Sequence, residues 1–200
     1  MMQSPLLLIG FLLIFAPSVI YAQDTLETEA EVRAFILSRD QEIKDAVQGM
    51  GNDPALQDKA QSLINGQIDF EEMGRRSLGR YYEDLPTEDQ NEFIDVFGQI
   101  VRSQSMRDLS VYEAPVTIES VTVNENHALV KTSVEIDRTT LEVDYRLHQK
   151  LDRWWVYDII IDDVGTVDGY SASFQSFVRK RGFEAFMQSL QKRVDAIQNQ

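Results

Sequence analysis

The sequence predicts an α+β fold in which helices pack on a curved antiparallel sheet of about four strands. Apolar residues recur every three to four positions over most of residues 25–109, which is the spacing of helices with one buried face. The spacing changes to two between residues 116 and 161, as in strands with one buried face, and becomes helical again from residue 170. With 43% hydrophobic residues, the chain can bury a substantial core as one domain.

The first residues have the features of a secretory signal peptide. Leu6 to Phe15 is an apolar run interrupted only by Gly10, and the small residue Ala22 follows shortly before the first charge at Asp24. This run is shorter than the roughly 20 residues that a membrane-spanning helix needs. We therefore expect cleavage after Ala22, with residues 1–22 as the signal peptide and 23–200 as a single domain. An uncleaved N-terminal anchor is the alternative.

Turn residues divide the helical regions. Asp53 and Pro54 are suited to begin a helix, and Gly182 interrupts the last helical region. The predicted helices cover residues 25–47, 54–65, 70–81, 87 to about 109, and 170–197 with the break at Gly182.

The strands are predicted at residues 116–123, 128–136, 141–149 and 154–161. Short turns between them favour an antiparallel meander. The last strand is apolar on both faces, because Trp155, Tyr157, Ile159 and Ile161 alternate with other apolar residues. We therefore expect it to be central or covered on both sides.

The charge excludes some partners. Thirty-three acidic and 19 basic residues give a formal net charge of −14, which repels nucleic acid and anionic membranes. We expect no nucleic-acid partner and no stable membrane insertion.

The sequence offers little for catalysis. It has no Cys, and its 2 His, His127 and His148, lack further metal ligands at suitable spacing, so we interpret both as exposed. Asp158 follows Val156 in an apolar strand and is interpreted as a structural hydrogen-bond acceptor, with a perturbed carboxylate in a pocket as the alternative. We expect no enzyme activity, no metal and no cofactor.

Several segments occur in an order typical of one protein family. They are Ile68–Met73, Leu78–Tyr82, Thr87–Gln90 with Phe93 and Phe97, Trp154–Ile159 followed by Asp162–Gly165, Tyr170–Phe174, and Val178–Phe186. Together they resemble the MlaC family, also called the toluene-tolerance auxiliary family, over roughly Ile68 to Val194.

The resemblance implies a cone-shaped domain of the NTF2-like or cystatin-like kind with a helical N-terminal part. It also implies a periplasmic carrier that shuttles phospholipid and so maintains outer-membrane lipid asymmetry. The implied partners are an outer-membrane lipoprotein–porin complex and an inner-membrane ABC transporter with an MCE-domain subunit. Phospholipid would be cargo rather than cofactor, and a hopanoid or another lipid is the alternative cargo.

The same resemblance implies that acyl chains lie between the sheet and the helices. The apolar faces then supply the candidate lipid-binding residues, which are Phe70, Met73, Leu78, Phe93, Phe97, Ile100, Val143, Tyr145, Leu147, Tyr157, Ile159, Tyr170, Phe174, Phe177 and Val178. The densest basic cluster, Arg179, Lys180 and Arg181, is the candidate contact for a head group or an acidic partner.

Periodicity alone leaves other functions open, because it cannot distinguish a cavity from an ordinary packed core. One alternative is a ligand-free periplasmic binding or assembly factor. Another is a small enzyme with Asp158 or His148 in a pocket.

Overall fold

The computed structural model describes residues 18–48, 50–51, 53–105, 110–136 and 138–199. Residues 1–17 of the predicted signal peptide lie outside this part of the chain, and the expected cleavage site after Ala22 falls within the first helix.

Turn and capping residues set the ends of several helices. Asp53 begins the second helix by accepting a 2.9 Å hydrogen bond from the backbone N–H of Ala55, as its position before Pro54 predicts. Gly79, with φ of 60°, splits the predicted helix 70–81 in two. The helices are α1 Ser18–Gln48, α2 Pro54–Asn65, α3 Phe70–Leu78, α4 Arg80–Glu83, α5 Thr87–Ser105, α6 Ser110–Glu113, α7 Thr166–Arg181 and α8 Phe183–Gln198.

One antiparallel sheet follows the helical half, and it confirms the predicted α+β class. Its strands are β1 Val116–Asn124, β2 His127–Ile136, β3 Thr139–Lys150, β4 Arg153–Ile161 and β5 Val164–Gly165. They lie in chain order, and each pairs with the next. The two-residue β5 is too short for a periodicity to predict it. We call the face of the sheet that carries Val130, Tyr145 and Ile159 the inner face, and the opposite face the outer face.

The predicted alternation along β4 is wrong beyond Tyr157. Val156 pairs with Leu147 and Ile159 pairs with Tyr145, so Val156 and Ile159 share the inner face although two residues separate them. Tyr157 is the extra residue of a β-bulge. Trp155 and Tyr157 therefore lie on the opposite, outer face, and not with Ile159 as the simple pattern predicts. β4 is not at the edge of the sheet, as expected, because it lies between β3 and β5 and because Ile68 forms a β-bridge with Val156.

Two large apolar clusters, and a smaller one between α1 and α2, hold the described elements together. In the first, Val32 and Ile36 of α1 pack on the inner face against Val130, Leu147 and Val156. The second, which we call the aromatic core, lies among α3, α5, α7 and α8 around Phe93, Phe97, Phe174 and Phe186. Within the described residues, no helix is both long enough and apolar enough to cross a membrane.

Candidate functional site

An apolar cavity of about 90 Å³ lies between the inner face of the sheet and the helices α1, α2 and α6. Tyr145, Val156 and Ile159 form its floor on the sheet. The helices and the α2–α3 connection form the rest of the wall, with Phe35, Ile36, Arg39, Ile43, Ile64, Gln67, Ile68 and Tyr112. The wall is therefore mostly apolar, with a few polar groups among the side chains.

The sequence builds this cavity from two periodicities that face each other. Along α1, positions 32, 35, 36, 39 and 43 recur at helical spacing, which places them on the side of the helix that meets the sheet. Along β3, Val143, Tyr145 and Leu147 alternate with polar residues and share the inner face, and Tyr145 lines the cavity. The bulge in β4 is needed to bring Ile159 to the floor beside Tyr145.

Two tyrosines contribute polar atoms to the wall. Burial raises the pKa of Tyr112 to about 12. Burial also raises the pKa of Tyr145, and the neighbouring Tyr112, Asp40 and Asp144 raise it further. Both phenols are therefore neutral at physiological pH, and they can offer hydrogen bonds but no charge.

Arg39 is the charged residue on the cavity wall. Its Nη1 atom donates a 2.6 Å hydrogen bond to Glu42 one turn further along α1. Its Nε atom is buried and has no hydrogen-bond partner among the described residues. Arg39 is not among the site residues predicted from the sequence, because one arginine on a helix stripe is usually solvated. Its position opposite an apolar floor depends on the fold.

The candidate lipid-binding residues lie in three places: the cavity, other positions on the sheet, and the aromatic core. Tyr145 and Ile159 line the cavity. Val143 and Leu147 are buried on the same sheet face. Tyr157 lies on the outer face because of the bulge. The candidates on helices, which belong to the aromatic core, are Phe70, Met73, Leu78, Phe93, Phe97, Ile100, Tyr170, Phe174, Phe177 and Val178.

The aromatic core is closely packed. Phe93 and Phe97 stack with their ring centroids 5.7 Å apart, and Phe174 meets Phe186 edge to face at 4.8 Å. Ile159 contacts both this core and the cluster under α1. The structure thus gathers the helical candidates into a solid core and places α1 residues, such as Phe35, on the cavity wall. The apolar face of α1 is evident from the sequence, but periodicity cannot show which apolar helix face lines a cavity.

On the outer face, Asp69 ties α3 to the sheet. One carboxylate oxygen accepts the backbone N–H of Glu72 at the start of α3, and the other lies 3.1 Å from His148 Nε2 and 3.2 Å from Lys150 Nζ. His148 has only 13% of its side chain exposed, so the expectation that it is exposed is wrong. His127 is exposed, as expected. No cluster of three metal-ligating side chains occurs in the described part of the chain.

The chain matches the family model for MlaC protein over residues 37–192. It belongs to the MlaC family. A solved structure of the same fold is described as the phospholipid-binding protein from Ralstonia solanacearum in complex with a phospholipid. The two chains are 21% identical with a TM-score of 0.62, over 88% of this chain and 98% of the other. A search among curated proteins finds no match.

In this MlaC-family chain, Asp158 has the structural role that its sequence context favoured. It is fully buried, accepts a 2.9 Å hydrogen bond from the backbone N–H of Val167, and pairs with Arg146 at 2.8 Å. Burial raises the pKa of Asp158, while the Val167 N–H and Arg146 oppose that rise. Asp158 therefore fixes the first turn of α7 to β4.

The basic cluster Arg179, Lys180 and Arg181 occupies the exposed last turn of α7, away from the walls of the cavity. Lys180 and Arg181 border a shallow groove with Phe177, and the Arg181 guanidinium lies 5.6 Å from the Phe177 ring centre. Among the described residues, no acidic side chain forms an ion pair with the three. Their charge is therefore available to a binding partner.

Proposed function

We propose that this chain is a periplasmic carrier that binds phospholipid between α1 and the sheet. The observation that carries the proposal is the apolar cavity beneath α1 in a chain of the MlaC family. The structural neighbour, described as being in complex with a phospholipid, supports the same cargo. A binding or transport protein, and not an enzyme, also agrees with the structural roles of Asp158 and Asp69.

The energetics of the cargo require a deep site. A diacyl phospholipid has on the order of 30 methylenes, and exposing them to water costs about 20–25 kcal/mol at about 0.8 kcal/mol each. An apolar cavity of about 150 Å³ accommodates only a benzene-sized molecule. The 90 Å³ cavity is smaller still, so we propose that α1 and α2 separate from the sheet when an acyl chain enters.

The proposed transfer of lipid between the two membranes needs a partner in each of them. We propose that the carrier passes lipid between an outer-membrane lipoprotein–porin complex and an inner-membrane ABC transporter with an MCE-domain subunit, and so maintains lipid asymmetry. The exposed basic cluster at the end of α7 suits contact with an acidic surface of such a partner. The net charge of −14 opposes lasting attachment to the anionic bilayer, so recruitment by a protein is favoured.

A pair of tryptophan substitutions tests the position of the site. Ile159→Trp fills the cavity floor, whereas Phe177→Trp places the same indole ring in the aromatic core, where the ring centres of Phe177 and Phe186 are 5.8 Å apart. The purified protein is incubated with phosphatidylethanolamine vesicles, separated from them, and assayed for bound lipid by mass spectrometry.

We expect Ile159→Trp to lose most of its lipid while Phe177→Trp keeps the wild-type load. The reverse result would move the site into the helical layer, in agreement with the helical candidates selected from the sequence. Failure of the wild-type protein to take up any lipid would reject the carrier function itself. Circular dichroism of each variant checks that the fold is kept.

A further inference from the structure

Arg39 introduces a charge into a cavity wall that is otherwise apolar or neutral. Among the described residues that line the cavity, it is the only charged one. It lies between Phe35 and Ile43 on the face of α1 that covers the sheet. About 35% of its side chain is exposed, so the guanidinium is at the rim of the cavity and not in its depth.

The guanidinium uses only part of its hydrogen-bonding capacity. Nη1 donates to Glu42 at 2.6 Å, while the buried Nε has no partner in the described part of the chain. The Nε–H and one N–H of Nη2 point the same way from one edge of the planar group, which suits two oxygens of one anion. A buried donor without a partner lowers stability, so a ligand that satisfies it gains affinity.

We propose that this free edge of Arg39 binds the phosphate of the lipid cargo at the rim of the cavity. The proposal rests on the proposed carrier function and adds the position and chemistry of its head-group site. An arginine edge matches the two non-bridging oxygens of a phosphodiester better than a single ester carbonyl. With the phosphate at Arg39, the acyl chains extend towards Tyr145 and Ile159 on the floor.

The charges around Arg39 allow an anion to bind there despite the acidic chain. The adjacent Asp40 is paired with Lys44 at 2.5 Å, which offsets its repulsion. Glu42 is 45% exposed and holds the opposite side of the guanidinium through Nη1, so it orients the free edge without occupying it. The site therefore selects lipids that carry a phosphate over neutral lipids with the same chains.

The test measures this selection directly. The purified protein is loaded from vesicles that contain equal amounts of phosphatidylglycerol and diacylglycerol with identical acyl chains, and the extracted lipids are quantified by mass spectrometry. For the wild type we expect a clear excess of phosphatidylglycerol. For Arg39→Gln we expect the ratio of phosphatidylglycerol to diacylglycerol to fall roughly tenfold or more, since a charge-assisted contact is lost, while diacylglycerol uptake persists.

Two further variants make the result specific. Arg33→Gln removes a charge from the same helix at a residue that contacts the Ile118 carbonyl and not the cavity, and it should leave the ratio unchanged. Arg39→Lys keeps the charge but removes the two-donor edge, and it should lower the ratio severalfold. Arg39→Lys also carries the test if Arg39→Gln does not fold.

An unchanged ratio in both Arg39 variants would overturn the proposal, even if lipid uptake is normal. A wild-type protein that takes up neither lipid would reject the carrier function, and this inference with it. Excess inorganic phosphate should not lower phosphatidylglycerol loading, because free phosphate lacks the chains that hold the cargo. Displacement of the lipid by inorganic phosphate would assign Arg39 to a free-anion site instead.

Discussion

Glu72 is the carboxylate that organises the charged residues on α3. It accepts hydrogen bonds from Arg75 at 2.8 Å and Arg76 at 2.6 Å, and the Arg76 guanidinium lies 4.3 Å from the ring centre of Tyr157 on the outer face. Burial opposes ionisation of Glu72, but the two arginines outweigh it and lower its pKa to about 2. The hydrogen bonds of Glu72 therefore hold Arg76 in place against Tyr157, and so support the contact between α3 and the sheet.

We predict that Glu72→Gln lowers the free energy of unfolding by about 1–2 kcal/mol at pH 7. The folded-state pKa of about 2 lies below the ordinary value of 4.5, so this stabilisation is complete above pH 4.5 and decreases as the pH falls towards 2. Urea unfolding at pH 7 and pH 3 should therefore show a smaller difference between wild type and variant at pH 3. Glu83→Gln, at a residue that is 63% exposed, is the control and should change little. A difference that grows on acidification would contradict the assignment.

The buried carboxylate of Asp158 joins β4 to the first turn of α7. Asp158→Ala removes both the hydrogen bond to Val167 and the ion pair with Arg146, and we expect it to lower the free energy of unfolding by about 2–4 kcal/mol. Asp168→Ala is the matched control, because Asp168 lies 3.8 Å from the same Arg146 but is 73% exposed. Denaturant unfolding of the two variants at neutral pH measures the difference. Equal effects would show that the buried carboxylate has no special role.

The sequence predicts the structural role of Asp158 but not the face of the sheet on which it lies. An acid in an apolar strand predicts a hydrogen-bonded carboxylate, because burial without partners costs too much free energy. The face on which it lies depends on the extra residue Tyr157, and a strict alternation cannot reveal a bulge. The burial of His148 could not be predicted either, because its partner Asp69 is 79 residues away in the chain.

Among the elements, α1 is the cover of the cavity. Ile36 is 7% exposed and lines the cavity opposite the sheet, whereas its neighbour Leu37 is 44% exposed on the other side of the helix. The two residues are adjacent in sequence and nearly equal in size, so they separate the contribution of packing on the sheet from helix propensity.

We predict that Ile36→Ala lowers the free energy of unfolding by about 2–4 kcal/mol, because it removes buried methylenes and enlarges the cavity. Leu37→Ala should change it by less than about 1 kcal/mol. Urea unfolding of both lipid-free variants measures the two values. If the two substitutions had equal effects, α1 would not be packed on the sheet as described.

The sequence predicted elements where period and turn residues agree. The observed bounds of α2 coincide with the predicted 54–65, and each of the four long strands lies within a few residues of its predicted bounds. It did not predict α6, a single turn of four residues that contributes Tyr112 to the wall. A one-turn helix has no period, so its position depends on the surrounding tertiary packing.

Across the whole molecule, the acidic chain forms two large apolar regions of different character. One is the aromatic core, which is filled by its own rings, and the other is the cavity beneath α1, which is not filled. The lipid-binding residues predicted from the sequence lie mainly in the aromatic core, because its side chains are the largest apolar ones. The sequence alone does not identify the cavity, since a cavity depends on how far apart two layers lie.

Mass spectrometry of the organic extract of the protein, purified from periplasm without detergent, tests whether the chain carries phospholipid. A ligand that binds the folded state and not the unfolded state stabilises the folded protein, and a lipid whose acyl chains are buried between α1 and the sheet should survive purification. We predict close to one phospholipid per chain. Folded protein that yields no lipid would contradict the carrier function and favour a ligand-free assembly factor.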